Sequence, residues 1–444
     1  MTESTSDGFL HYKYRFEHIY VPGRTGRGKS TLLHAMAYQD IKKDHGVTVI
    51  DPKGDLVRSL YNWIPERRKD DVVCVGLKIQ TPLDFLYFNR DDENEKDELV
   101  EDLIFLLLKD AGNAPRAKSI LYDVYYTILS STIPVSFLDT YSFLMDRGRR
   151  DTILSGVHDP EYKRIWAKGV PNDEKLDPIL HRMKKYVRNS TLKKIFGTPT
   201  GGINVAKIIN DRKILFIDLG GASRAAMDFG SLVFQKMKQE VFRRNSVLPD
   251  KRIPHFVFID EFQKFANVED FKDVLMMARG YKFAMTLASP TLKDLPDHIK
   301  TGLGVIGNYI IFRLPAHDIP FFQGEIPPIH TKPVWRRIAS GPGGMGWVDE
   351  PIDDLSYLTK LSHFEALYHL ADGRTFLKKT PGIPPPKPDR NAEYTKKRTV
   401  DEYGCSEHKN IVQSKKHVSD HQDATENAAE PSNFLPHKAK KSGS

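Results

Sequence analysis

Two short segments bring together side chains whose types and order suit phosphate chemistry. Gly23-Arg24-Thr25-Gly26-Arg27-Gly28-Lys29-Ser30 matches the pattern G-x-x-x-x-G-K-[ST]. Its glycines let the backbone curl until successive N–H groups point at one phosphate, which a Cβ would hinder. Lys29 adds a point charge for the β- and γ-phosphates, and the Ser30 hydroxyl can join a Mg²⁺ shell. Thr31 opens TLLHAMAYQDI, a helical pattern whose N-terminus favours anions, so Gly23 to Thr31 form the candidate nucleotide-binding set. Hydrolysis at such a loop also needs a carboxylate for Mg²⁺ and a group that orients water. HFVFIDEF (255–262) supplies both, as an apolar strand ending in Asp260 for the metal and Glu261 for the water. The implied cofactors are ATP and Mg²⁺.

A third polar strand end, VIDPKGD (49–55), admits two readings. Asp51, Lys53 and Asp55 lie either at a sheet edge where α/β sites form or in a simple capping turn.

These residues need a scaffold that ends several strands at one edge. HIYV (18–21), VTVID (47–51), VVCV (72–75), ILFIDL (214–219), FVFID (256–260), AMTLAS (284–289) and YIIF (309–312) are continuous apolar runs. Such runs suit strands of a parallel sheet buried on both faces, with helical patterns between them. The predicted class is α/β. From Asp91 to Phe196 the rhythm changes to helical patterns alone. Ile120, Leu121, Val124, Tyr125, Ile128 and Leu129 recur at helix spacing after Pro115. Acidic residues crowd DDENEKDE (91–98), whereas 147–194 holds thirteen Lys and Arg against six Asp and Glu. That basic stretch is either a surface for a polyanion partner or a solvated helix face.

The chain has 444 residues, 40% hydrophobic and 28% charged, with a formal charge of +8. That hydrophobic fraction excludes a wholly disordered chain. No apolar run approaches the roughly 18 residues of a membrane span, and the N-terminus lacks a secretion signal. Cys74 and Cys405 are too few for a disulfide framework or a four-cysteine zinc site. A cytoplasmic protein is expected. PGIPPPKP (381–388) is a proline-rich spacer, and disorder is predicted from about Pro384 onward.

VPGRTGRGKSTLL, GVTVIDPKGDL, PLDFLYFN, KILFIDLGG, FVFIDEFQKF, MMARGYKFAMTLASPTLKDLP and IGNYIIFRL stand in an order that resembles the HerA–FtsK superfamily of ring-forming DNA-pumping ATPases. The resemblance is nearest to the TraG/TraD-type conjugative coupling proteins of type IV secretion. It implies a RecA-like P-loop NTPase core with a mostly parallel sheet, interrupted by an all-helical insertion. Residues 1–90 would be the first part of the core, 91–200 the insertion, 201–380 the second part and 381–444 the spacer and disordered tail. It also implies a homo-hexameric, helicase-like DNA translocase with DNA bound independently of sequence. ATP would lie between subunits, completed by a neighbour's arginine, for which Arg279 is the candidate. A relaxase or secretion-channel protein would be a partner. HerA-like DNA processing, genome packaging, or a non-motor P-loop protein regulating a secretion complex are the alternatives. Two departures stand out. The position at which the family often carries a sensing glutamine is here Ser289 or Pro290, with Gln263 as a substitute candidate. The membrane helices usual in coupling proteins are not read ahead of the P-loop, so action in the cytoplasm, or recruitment to the membrane by a partner, is expected.

Overall fold

Each apolar run lacks alternation, so its strand must be covered on both sides. The computed structural model describes residues 10 and 12–403 except 78, 109–113, 172, 200–201, 222, 265–270, 328–330, 338–344, 352–354 and 381–390. Its strands are β1 (Ile19–Pro22), β2 (Gly46–Asp51), β3 (Val72–Gly76), β4 (Ile214–Asp218), β5 (His255–Ile259), β6 (Phe283–Ser289), β7 (Asn308–Ile311), β8 (Thr331–Arg337), β9 (Met345–Pro351), β10 (Glu365–His369) and β11 (Thr375–Lys379). Nine of them form one sheet in the order β11-β10-β7-β1-β6-β5-β2-β4-β3, and β8 pairs with β9 separately. The seven predicted strands, β1 to β7, run parallel.

Successive side chains feed two cores. Val47, Val49, Phe256 and Phe258 face the core that holds Leu32, Leu33 and Met36 of the helix Lys29–Lys42. Ile50, Val257 and Ile259 face the opposite core, which also holds Phe229 and Val233 of the helix Arg224–Arg243. The helices that lie between residues 93 and 196 share that second core rather than building their own. Leu121, Val124 and Ile128 of Pro115–Leu129 belong to the same cluster as Ile217 of β4. Pro115 is the first residue of its helix, as its fixed φ favours.

Three findings go beyond the predicted elements, the first being the separate antiparallel pair of β8 and β9. β10 is antiparallel to both β7 and β11, closing the sheet with a hairpin through Asp372-Gly373. Residues 391–403, within the stretch predicted to be disordered, form the helix Asn391–Tyr403. The reason is the edge of β3, whose unpaired backbone groups need partners. Thr399 Oγ1 accepts from Cys74 N (3.3 Å), and Arg398 Nη2 donates to Val72 O (2.5 Å). The rest of the predicted tail, 404–444, and the whole of the spacer, 381–388, lie outside the described residues. Among the described residues, no helix is long and apolar enough to cross a membrane.

His18 ties β1 to its neighbours at the amino edge of the sheet. Its Nδ1 accepts from Met285 N (3.1 Å), so Nε2 carries the proton and donates to Leu275 O (2.7 Å). Protonation would set a second N–H against that of Met285. Burial pushes His18 down to about 4 and His34 likewise to about 4. The unfolded chain therefore binds more protons below pH about 6.5. Stability is full above that pH and falls as pH drops toward the folded value. The urea midpoint should fall between pH 7.5 and 5.5, by the equivalent of about 1–3 kcal/mol. An unchanged midpoint would contradict the buried neutral rings.

Candidate nucleotide site

The predicted phosphate loop leaves the carboxyl end of β1. Gly23 N donates to Ser289 O at the end of β6 (3.1 Å), and Arg24 N to Arg313 O beyond β7 (2.8 Å). Gly28 has φ 117°, a conformation that favours glycine, and a Cβ there would lie 2.8 Å from Phe364 Cδ1 and 3.0 Å from Phe312 Cε1. Gly23 is as constrained, since its Cβ would meet that of Phe312 at 2.5 Å. Arg24, Thr25 and Gly26 are exposed at the tip, while Arg27 and Thr31 are partly buried. The helix Lys29–Lys42 starts at Gly28 with no side-chain cap, which leaves its first N–H groups for an anion.

Lys29 is buried and curls back onto its own loop, donating to Gly23 O (2.5 Å) and Arg24 O (3.3 Å). Burial lowers its pKa, and the charges of Asp260 and Glu261 offset part of that. Ser30 Oγ donates to Asp260 Oδ2 at 2.7 Å, so the two predicted metal-shell residues meet although 230 positions separate them. Asp260 follows β5 and stays in the ladder, with its N donating to Ile50 O (3.1 Å).

Glu261 takes φ 50°, rare for a side chain with Cβ, and this turns it off the strand direction. Its Oε1 accepts from Lys53 Nζ (2.7 Å) and its Oε2 from Gln263 Nε2 (2.7 Å). Burial alone would raise the Glu261 pKa, but the Lys53 and Gln263 contacts leave it lowered.

The third polar strand end proves to be both things at once. Asp51 is the turn's cap, accepting from the N–H groups of Lys53 (2.9 Å), Leu56 (2.7 Å) and Val57 (3.2 Å). Asp55 points to solvent and pairs with Arg58. Lys53 alone reaches the site. A lysine two residues past a strand-ending Asp is the only sequence signal for it.

Arg279 sits elsewhere. It ends the helix Phe271–Gly280 and bonds Glu17 Oε1 (3.1 Å) with 61% of its side chain exposed. β6, seven residues long, starts just after it and ends beside the phosphate loop. That places Arg279 a strand length, about 20 Å, from its own chain's loop. At that distance it does not touch the nucleotide site of its own chain. At the other end of β6, Ser289 Oγ is buried against Tyr20 OH (2.6 Å). Gln263 is the amide that does approach the site, through Glu261.

The residues fit a Mg²⁺-nucleoside triphosphate. Two glycine positions without room for a Cβ shape the cradle, a buried lysine is held on loop carbonyls, and a serine hydroxyl lies on a carboxylate.

No protein-family model matches the chain, and neither does any curated protein. Solved structures do share its fold. The bacterial conjugative coupling protein TrwBdeltaN70 aligns with a TM-score of 0.59 at 14% identity, over 85% of this chain and 87% of that one. The plasmid coupling protein TrwB in complex with ADP and Mg²⁺ gives 0.58 at 14%, over 85% and 88%. VirB4 of Thermoanaerobacter pseudethanolicus gives 0.53 at 13%, over 83% and 90%. The predicted P-loop fold with a mostly parallel sheet is thus the fold of these proteins.

The cradle makes a graded prediction. Gly28→Ala should weaken binding of a fluorescent ATP analogue at least about tenfold, because strain of about 1–2 kcal/mol adds to the clash with Phe364. Gly26→Ala should cost less, since its φ of 75° is strained but nothing lies within 4 Å. Equal losses would contradict this packing.

Proposed function

We propose that the chain is a Mg²⁺-dependent ATPase that moves DNA, acting as the coupling motor of a type IV secretion or conjugation-like system. The contact between Ser30 and Asp260 carries this reading, since it assembles a metal-nucleotide site from two distant segments. The shared fold with coupling protein TrwB, whose structures hold ADP with Mg²⁺ and an ATP analogue, supports it. Lys29 would leave its loop carbonyls for the β- and γ-phosphates, and Ser30 with Asp260 would hold Mg²⁺. The metal, when bound, neutralises charge on the phosphate oxygens. Glu261 orients the water for in-line attack on the γ-phosphate. Arg279 of a neighbouring copy supplies transition-state charge, a contribution of about 10³–10⁵ in rate where such arginines act. That role requires a ring, which we take to be a homo-hexamer. A relaxase or channel protein would be its partner in the cytoplasm or at the membrane.

The burial of Ser289 against Tyr20 favours a second reading. With no amide at the end of β6, nucleotide binding could regulate assembly of a secretion complex without driving movement. Turnover separates the two. The motor predicts ATP hydrolysis stimulated by DNA, with stimulation falling steeply as salt rises because phosphates are the contact. Lys29→Ala and Glu261→Gln should each cut kcat at least about 100-fold. DNA-independent turnover would favour the regulatory reading, and turnover that survives Glu261→Gln would contradict the hydrolytic role drawn here. A mixture of Lys29→Ala and Arg279→Ala chains, each inactive alone, should regain partial turnover, since some interfaces then pair an intact loop with an intact arginine. No recovery would remove Arg279 from the site.

A further inference from the structure

We propose that Lys53 is a positioning residue for hydrolysis, holding the Glu261 carboxylate in the orientation that aligns water. The proposal rests on the hydrolytic reading above.

The fold goes to some length to present this amine. Asp51 gathers three backbone N–H groups of the turn, one of them from Lys53 itself. Gly54 follows at φ 79°, and a Cβ there would lie 2.5 Å from Asp218 Oδ1. The turn is therefore fixed between the end of its own strand, β2, and that of β4. From it, Lys53 Nζ reaches Glu261 Oε1 at 2.7 Å. Gln263 takes the other oxygen at 2.7 Å from the opposite direction in the chain. One donor on each oxygen sets the carboxylate plane, and the left-handed backbone at Glu261 sets its origin. A free glutamate side chain would have to be ordered at each turnover, and misplacement by about 1 Å can cost about 100-fold.

Stability does not account for the pair. The Lys53 side chain is 50% exposed and that of Glu261 14%, so water reaches the amine and the pair contributes on the order of 1 kcal/mol. An exposed lysine anchored in so constrained a turn, with its amine on the water-orienting glutamate, is better explained by rate than by folding.

The test uses the full chain with ATP and Mg²⁺ in steady state. Lys53→Met should lower kcat by about 10–100-fold with KM for ATP within about threefold. The thermal midpoint should stay within a few degrees, and Lys53→Arg, which keeps a cationic donor, should recover much of the rate. In single turnover, Lys53→Met combined with Glu261→Gln should be no slower than Glu261→Gln alone, because both act through one carboxylate. Unchanged or faster turnover in Lys53→Met, or a full additive loss in the double variant, overturns the proposal and leaves the hydrolytic reading standing. A wild-type chain that does not hydrolyse ATP overturns that reading, and this inference with it.

Discussion

Parallel register governs the site. β1, β6, β5 and β2 are neighbours in the sheet, and all four finish at the same edge. Pro22 pairs with Ser289, Ile259 with Leu287, and Ile50 with Ile259. The residues that follow these pairs therefore stand side by side at strand spacings of about 4.8 Å. The phosphate loop, Asp260 with Glu261, and the Asp51–Lys53 turn come together for this reason alone. A slip of two residues in β1 or β5 would move its loop by about 7 Å and dissolve the contact between Ser30 and Asp260. Burial on both faces enforces the register, since the strand side chains fill two separate cores.

The same edge holds the costs. Lys29 is buried with a lowered pKa, Glu261 sits in a sparsely populated backbone region, and Gly23 and Gly28 accept no side chain. None of these choices favours folding. They are strain and desolvation tolerated by a well-packed sheet, as expected where chemistry is done. His18, at the other edge, shows the contrast. It too is buried, shifted and left-handed in its backbone (φ 58°), yet both of its ring nitrogens are satisfied by backbone groups.

Legibility in the sequence followed range and environment. The strands buried on both faces are readable because Val, Ile and Phe run without interruption, and their boundaries fall within a residue or so of the observed ones. The Gly23–Ser30 loop is readable because its geometry dictates residue types. β10 and β11 are harder. Both are short, and β11 is exposed over most of its length, so its TFLKK carries little pattern; the Asp372-Gly373 turn is the signal that marks them. The helix Asn391–Tyr403 is polar in composition, and only the needs of the β3 edge reveal why it is ordered. Lys53 and Glu261 are 208 residues apart, and nothing local in VIDPKGD separates a capping turn from a site. Asp51 and Lys53 turn out to divide those two roles between them.

The central claim is that this edge becomes a working site only when copies assemble so that Arg279 of one reaches the phosphate loop of the next. The most direct measurement is an electron-microscopy reconstruction of the Glu261→Gln chain with ATP, Mg²⁺ and DNA. The account predicts a six-fold ring, DNA in its channel, and the Arg279 guanidinium at the γ-phosphate held by a neighbour's Lys29. A monomer with bound nucleotide, or a ring that leaves Arg279 on Glu17 and away from every nucleotide, would contradict it.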